Sequence, residues 1–194
     1  LLKNDIDQAL KNYDEAIKIN PDYYEAIYNK ANILLRLKDF SNSLKHYDKV
    51  LSLKSDYVSA IQGKAIIYKK IERFNEAIDT WQKVIDLSPE NENAYVQKGD
   101  LLFDKNKLKE ALYCYEKAYQ INPLKPFLLG SIIYTKTRMC EWEGLDEIIK
   151  DLKLNIEKNI KISPPYTLLT IVDDPSVHLK VSKIWADEHK KKEN

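Results

Sequence analysis

The sequence predicts an all-α fold in which antiparallel helix pairs stack into a right-handed solenoid. Three observations with one shared period of 34 residues carry this prediction. Small residues recur at that period, at Ala9, Ser43, Ala77 and Ala111. An aromatic residue follows each of them by four positions, at Tyr13, Tyr47, Trp81 and Tyr115. A residue that ends helices closes each period, at Pro21, Ser55, Pro89 and Pro123.

This pattern resembles the tetratricopeptide repeat (TPR), which implies two antiparallel helices, A and then B, in each period. The small residues on the B helix, together with Ala31, Ala65 and Gly99 on the A helix, let the two helices approach closely. The resemblance covers residues 1–123 and implies a truncated first repeat followed by three full repeats. One repeat cannot bury its apolar face alone, so stacked neighbours share a continuous core.

The helices follow in order from this phase. The predicted spans are 5–19, 22–37, 41–53, 56–71, 75–87, 91–105 and 109–121. Leu1 and Leu2 are predicted to end an A helix whose remainder lies upstream, so we expect further repeats there. The aromatic series is predicted to be core, because its spacing places each ring at the same contact between repeats.

Beyond residue 123 the consensus weakens while the phase continues. Residues 124–160 predict a degenerate capping pair, with helices at 126–139 and 142–159, since terminal repeats of a solenoid are atypical. Residues 161–194 predict a linker. It contains a rigid break around Ile162, Pro164 and Pro165, and an irregular apolar strap at 166–172. A last helix at 175–190, capped by Asp174, and a solvated lysine tail follow.

The second half carries a further resemblance. The strings Arg138-Met-Cys-Glu-Trp142, Ser163-Pro-Pro-Tyr166 and Asp173-Asp-Pro-Ser-Val-His-Leu-Lys180 follow one another here. Their order is similar to the junction between repeats and catalytic region in the O-linked N-acetylglucosamine transferase family (glycosyltransferase family 41, including SPINDLY-like members). The resemblance implies that the chain leads toward a catalytic domain absent from it, and it assigns no catalytic residue here. The alternative is a free-standing TPR scaffold or adaptor with no linked enzyme.

Composition argues against the other function classes. The net charge of +1 favours neither nucleic acid nor an anionic membrane as partner, and no apolar run reaches the ~20 residues of a membrane span. Four glycines form no phosphate-binding loop, and three separated histidines form no metal motif. Two cysteines form no disulfide framework, which favours a reducing, cytoplasmic compartment. We therefore expect no cofactor, no metal and no enzymatic activity in this chain.

The predicted binding surface is a concave groove lined by the A helices, where a protein or peptide partner would lie. The alternative interpretation is a solvated face, and self-association through the solenoid faces is a further partner expectation. The resemblance to glycosyltransferase family 41 also implies a ladder of asparagines along this groove that holds a substrate backbone. The matching positions here carry Asn29, Gly63 and Gln97, so the ladder is incomplete. We call the thirteen predicted residues the groove set: Tyr28, Asn29, Asn32, Arg36, Gln62, Ile66, Lys69, Lys70, Gln97, Asp100, Asp104, Tyr134 and Arg138.

Overall fold

A computed structural model describes residues 2–160, 163, 165–169 and 172–192. Within these ranges the regular structure is entirely helical, which confirms the predicted all-α class. The helices are α1 (Leu2–Ile19), α2 (Tyr24–Arg36), α3 (Phe40–Leu53), α4 (Val58–Lys70), α5 (Phe74–Leu87), α6 (Glu92–Asp104), α7 (Leu108–Ile121), α8 (Leu128–Arg138), α9 (Leu145–Glu157), α10 (Pro165–Leu169) and α11 (Pro175–Lys192).

The turns that end successive A helices share one backbone conformation. The residues with positive φ at these turns are again 34 apart: Lys38, Glu72, Asn106 and Cys140. The amide that follows each of them donates back to a carbonyl five residues earlier, as in Asp39 to Leu34 at 2.9 Å and Glu141 to Lys136 at 3.0 Å. This closure satisfies carbonyls at the helix end with a left-handed residue. The predicted phase therefore continues through the degenerate pair, where side-chain consensus has faded.

The structure divides into two compact units, residues 1–89 and 90–194. In the first unit α2 packs on α3 and α4 on α5. The hydroxyl of buried Ser43 donates to the Ala31 carbonyl at 2.8 Å, so the small residues do mark the close approach of two helices. Tyr47 and Trp81 are buried as predicted, whereas Tyr13 of α1 is only half-buried.

In the second unit α6 packs on α7, α7 on α8 and α8 on α9. Tyr115 is buried, as predicted for its series. The carboxylate of Asp174 accepts from the backbone amides of Ser176 (3.0 Å) and Val177 (3.4 Å), which confirms the predicted cap of α11. The ring of Trp185 on α11 meets Phe127 edge to face, with centroids 5.2 Å apart.

Three local predictions were wrong. Leu2 does not end a separate A helix but lies in α1, since no glycine or proline interrupts residues 2–19. The ninth helix begins at Leu145 rather than at residue 142, because left-handed Gly144 precedes it, and Trp142 is exposed in the turn. The strap is partly helical, since Pro165 begins the short α10, whose Leu168 is fully buried.

Some predictions lie outside the described residues. They are the break at Ile162 and Pro164, the strap residues 170 and 171, and the chain end at 193 and 194.

Candidate functional site

The groove set of the first unit lies on α2 and α4, two A helices that pack against each other. On α2, Asn29 and Arg36 are exposed, while Tyr28 and Asn32 are half-buried. On α4, Ile66 and Lys70 are exposed, while Gln62 and Lys69 are half-buried. Within the first unit the groove set thus contains two exposed cations, Arg36 and Lys70, one at the C-terminal end of each helix.

Asn32 takes part in packing as well as facing the predicted groove. Its Oδ1 accepts a hydrogen bond of 2.6 Å from the hydroxyl of Tyr47 on α3. Burial raises the pKa of Tyr47 to about 12, because the phenolate would lose its hydration. Asn32 therefore fixes the buried ring that crosses from the B helix to the A helix, a role that sequence reasoning did not assign.

The absence of asparagine at position 63 has a packing cause. A Cβ added to Gly63 would lie 2.3 Å from Cζ of Tyr47 and 2.6 Å from its hydroxyl oxygen. The ring occupies the space in which a side chain at this position would begin, so no asparagine fits. The ladder is interrupted here because the buried Tyr47 ring fills the space of a side chain at residue 63.

The next A helix carries an apolar residue at the position of Asn32. Ile66 stands 15 residues before Trp81, as Asn32 stands before Tyr47, and isoleucine offers no acceptor. The indole Nε1 of Trp81 is buried and has no hydrogen-bond partner among the described residues. The polar contact between A and B helices is thus absent where tryptophan replaces tyrosine.

In the second unit the groove set lies on α6 and α8. Tyr134 and Arg138 of α8 come together with Phe103 of α6: the Phe103 and Tyr134 ring centroids are 5.6 Å apart, and the Arg138 guanidinium lies 5.1 Å from the Phe103 centroid. Arg138 also donates to Oδ1 of Asn106 at 3.2 Å. Both Tyr134 and Arg138 are exposed. We call Phe103, Tyr134 and Arg138 the aromatic–cation patch.

The acidic members of the set differ from one another. Asp100 accepts a hydrogen bond of 2.9 Å from the Tyr115 hydroxyl, so it repeats the role that Asn32 has in the first unit. Burial, followed by the Asp100 carboxylate, raises the pKa of Tyr115. Asp104 is exposed, and Gln97 is half-buried. Of these three side chains, Asp104 is the most accessible to a partner.

No group of three His, Cys, Asp or Glu side chains that could hold a metal ion occurs among the described residues. Burial raises the pKa of the Cys114 thiol, which keeps it protonated and unreactive at neutral pH. In the described part of the chain, no helix combines the length and apolar character needed to cross a membrane.

Sequence reasoning missed two features of the first unit. One is a tyrosine cluster at the N-terminal ends of α2 and α4, made of Tyr24, Tyr28 and Tyr57. The only signal for it was the high tyrosine content, 13 residues in the chain. The other is a cleft of about 340 Å³ between α3, α4 and α5, with Leu51 and Ile61 among its lining residues.

Comparison with known proteins identifies the family of the repeats. Family models described as tetratricopeptide repeat or TPR repeat match residues 1–38, 24–57, 58–91 and 92–125. No curated protein matches the chain significantly in sequence, so the resemblance to glycosyltransferase family 41 gains no support.

Solved structures of MamA are similar in fold. One crystal structure of MamA is 19% identical with a TM-score of 0.67, covering 100% of this chain and 94% of that one. A second is 22% identical with a TM-score of 0.68, covering 81% and 85%. A form from Desulfovibrio magneticus RS-1 beginning at its residue 41 is 20% identical with a TM-score of 0.66, covering 78% and 85%. At these identities the likeness concerns the fold alone.

Proposed function

We propose that this chain, which belongs to the tetratricopeptide-repeat family through its repeats at residues 1–125, is a scaffold that binds a protein partner along its A helices. The fold and the family support a protein-interaction role in general. The groove set is our proposal for the residues that make the contact. A linked glycosyltransferase has no support from the comparisons and is not part of the proposal.

The observation that carries the proposal is the aromatic–cation patch. Tyrosine and arginine are the residue types that contribute most binding free energy at protein interfaces. Here Tyr134 and Arg138 are exposed on an A helix, and the Phe103 ring holds both side chains in place before any partner arrives. Such preorganisation lowers the entropy lost on binding.

The exposed charges of the groove set differ between the two units. The first unit presents Arg36 and Lys70 as exposed cations, and the second presents exposed Asp104 beside the patch. Exposed charges at the rim of an interface act mainly on the association rate. The buried contacts of Asn32 and Asp100 give these two residues a structural role, so their substitution would not report on binding alone.

A peptide selected from a random library displayed on phage provides the probe. Its binding is then measured by surface plasmon resonance against the native chain and a Tyr134→Ala variant. We expect Tyr134→Ala to weaken binding by about 30-fold, the size typical of an interface residue that dominates binding. The matched control is Tyr113→Ala, because Tyr113 is an exposed tyrosine on the B helix α7 with Lys117 stacked on it at 5.8 Å.

The second part of the test measures how the association rate of the peptide depends on salt. Lys70→Glu should slow association with the same peptide, and the effect should shrink at high ionic strength because salt screens exposed charges. Lys83→Glu on α5 is the control of equal charge change. Loss of binding in Tyr113→Ala and Lys83→Glu, with the A-helix variants unaffected, would place the partner on the B helices and overturn the proposal.

A further inference from the structure

Three tyrosine rings converge where α2 and α4 begin. Tyr24 and Tyr57 meet with centroids 5.5 Å apart and planes inclined by 68°. Tyr28 stands edge-on to Tyr57, with centroids 5.1 Å apart and planes at 75°. Each of the three rings keeps part of its surface exposed. The cluster therefore contributes to the surface of the first unit as well as to its packing.

The chain's own Lys54 lies against this cluster. Its Nζ is over the ring of Tyr24, 5.3 Å from the centroid, and over the ring of Tyr57, 5.6 Å from the centroid. Both distances are within the ~6 Å at which an aromatic face attracts a cation. Two ring faces inclined to one another thus share a single ammonium group, which is the geometry of an aromatic site for cations.

A carboxylate adds to the attraction. Hydrogen bonding to Glu25 raises the pKa of Tyr24, and burial, followed by Tyr28 and then Glu25, raises the pKa of Tyr57. A carboxylate that acts on both phenols favours a cation at the ring faces.

The residue that fills the site is held weakly. Lys54 is exposed, and it follows the last residue of α3. Its ammonium makes no hydrogen bond or ion pair with the described residues, and its contacts are the two rings. A primary ammonium is strongly hydrated, so it gains little by leaving water for an exposed aromatic face. A methylated ammonium has less hydration to lose and more apolar surface to bury against the rings.

We propose that Tyr24 and Tyr57 form a binding site for an organic ammonium group, of the quaternary or methylated-lysine type, which Lys54 occupies in the free protein. The site lies outside the aromatic–cation patch and does not depend on the proposed groove function. Binding requires Lys54 to swing away, so the chain's own lysine competes with the incoming cation.

The test is an NMR titration of the chain with tetramethylammonium chloride, using potassium chloride as the reference for ionic strength. We expect saturable shifts of the tyrosine ring resonances with tetramethylammonium and none with potassium. Lys54→Ala should bind about two- to five-fold more tightly, the factor that corresponds to removing one competing cation from an exposed aromatic site. Lys45→Ala, on the preceding helix α3, removes an equal charge and should leave the affinity unchanged.

The ring itself is tested by two substitutions of Tyr24. Tyr24→Phe keeps the aromatic face and should retain binding, whereas Tyr24→Leu should lose it while the far-ultraviolet circular dichroism stays native. Equal shifts with both salts, equal affinities of Lys54→Ala and Lys45→Ala, or retained binding in Tyr24→Leu would each overturn the proposal. None of these outcomes bears on peptide binding by the patch.

Two sources of such a cation are distinguished by further ligands. N-acetyl-trimethyl-lysine amide represents the side chain of a partner protein, and choline represents a small free cation. Tighter binding of the lysine derivative supports the protein source, and tighter binding of choline supports the small molecule. Failure of both to bind would contradict the assignment even if tetramethylammonium binds.

Discussion

The ring of Tyr47 fills the place where a side chain at Gly63 would begin. A Cβ at residue 63 would lie 2.3 Å from Cζ of Tyr47, well inside van der Waals contact. Tyr47 belongs to α3 and Gly63 to α4. The glycine therefore lets the B helix of one repeat pack closely against the A helix of the next. At this register position α2 carries Asn29, whereas on α4 the Tyr47 ring occupies the space of a side chain.

Gly63→Ala is expected to destabilise the first unit by about 1–3 kcal/mol, the usual cost of overpacking a core. The methyl group would displace the Tyr47 ring, which is fully buried and cannot move into solvent. Urea denaturation followed by circular dichroism measures the change.

The same substitution should reverse its effect when the ring is absent. In a Tyr47→Leu background, Gly63→Ala is expected to stabilise by roughly 0.5–1 kcal/mol, because alanine is the better helix former. Destabilisation of equal size in both backgrounds would show that the ring does not cause the clash.

Substitutions of Trp81 separate the contribution of the ring volume to stability from that of its indole N–H group. Trp81→Ala should cost about 3–5 kcal/mol, since the ring is buried. Trp81→Phe should cost less than half as much, because Nε1 has no partner to lose among the described residues. Equal losses in the two variants, measured by urea denaturation, would indicate that Nε1 makes a stabilising hydrogen bond.

Alkaline pH should weaken the fold through Tyr47. Its pKa rises from 10.0 to about 12 on folding, so the unfolded chain releases the phenolic proton first. This contribution to stability is complete below pH 10 and is lost between pH 10 and about 12. The urea midpoint at pH 8, 10 and 11 should fall less steeply in Tyr47→Phe than in the native chain. Tyr113→Phe, which removes an exposed phenol, should follow the native curve.

Asp174 is expected to hold the start of α11. Asp174→Ala removes the acceptor for the amides of Ser176 and Val177, so amide hydrogen exchange in the first turn should accelerate. Hydrogen bonding to Ser176 lowers the pKa of Asp174, so the contribution of the cap is full above about pH 4 and is lost as the pH falls through that lowered pKa. Asp173→Ala removes the same charge from the neighbouring residue. Equally fast exchange in both variants would argue against capping.

The backbone of this protein was largely predictable because its signals are local. Prolines and left-handed turn residues end the helices, and apolar spacing orients them, whatever lies elsewhere in the chain. The errors occurred where local signals conflict with context. Trp142 continues the apolar phase in sequence, yet the turn at Gly144 leaves it exposed.

The groove set was predicted as one row of equivalent positions, but its members differ in the structure. Asn32 and Asp100 each accept from a buried tyrosine, whereas Tyr134 and Arg138 join Phe103 at the surface. Sequence spacing assigns a residue to a helix face. It does not say whether that side chain already makes a contact with a neighbouring helix.

The sequence by itself determined the helix pairs, their 34-residue phase and the burial of Tyr47, Trp81 and Tyr115, because helix periodicity and chain breakers act over a few residues. Only the tertiary structure decided that Tyr47 excludes a side chain at residue 63 and that Lys54 rests on two tyrosine rings. Such contacts join side chains on different helices, and they depend on helix separation and rotamer, which no local pattern encodes.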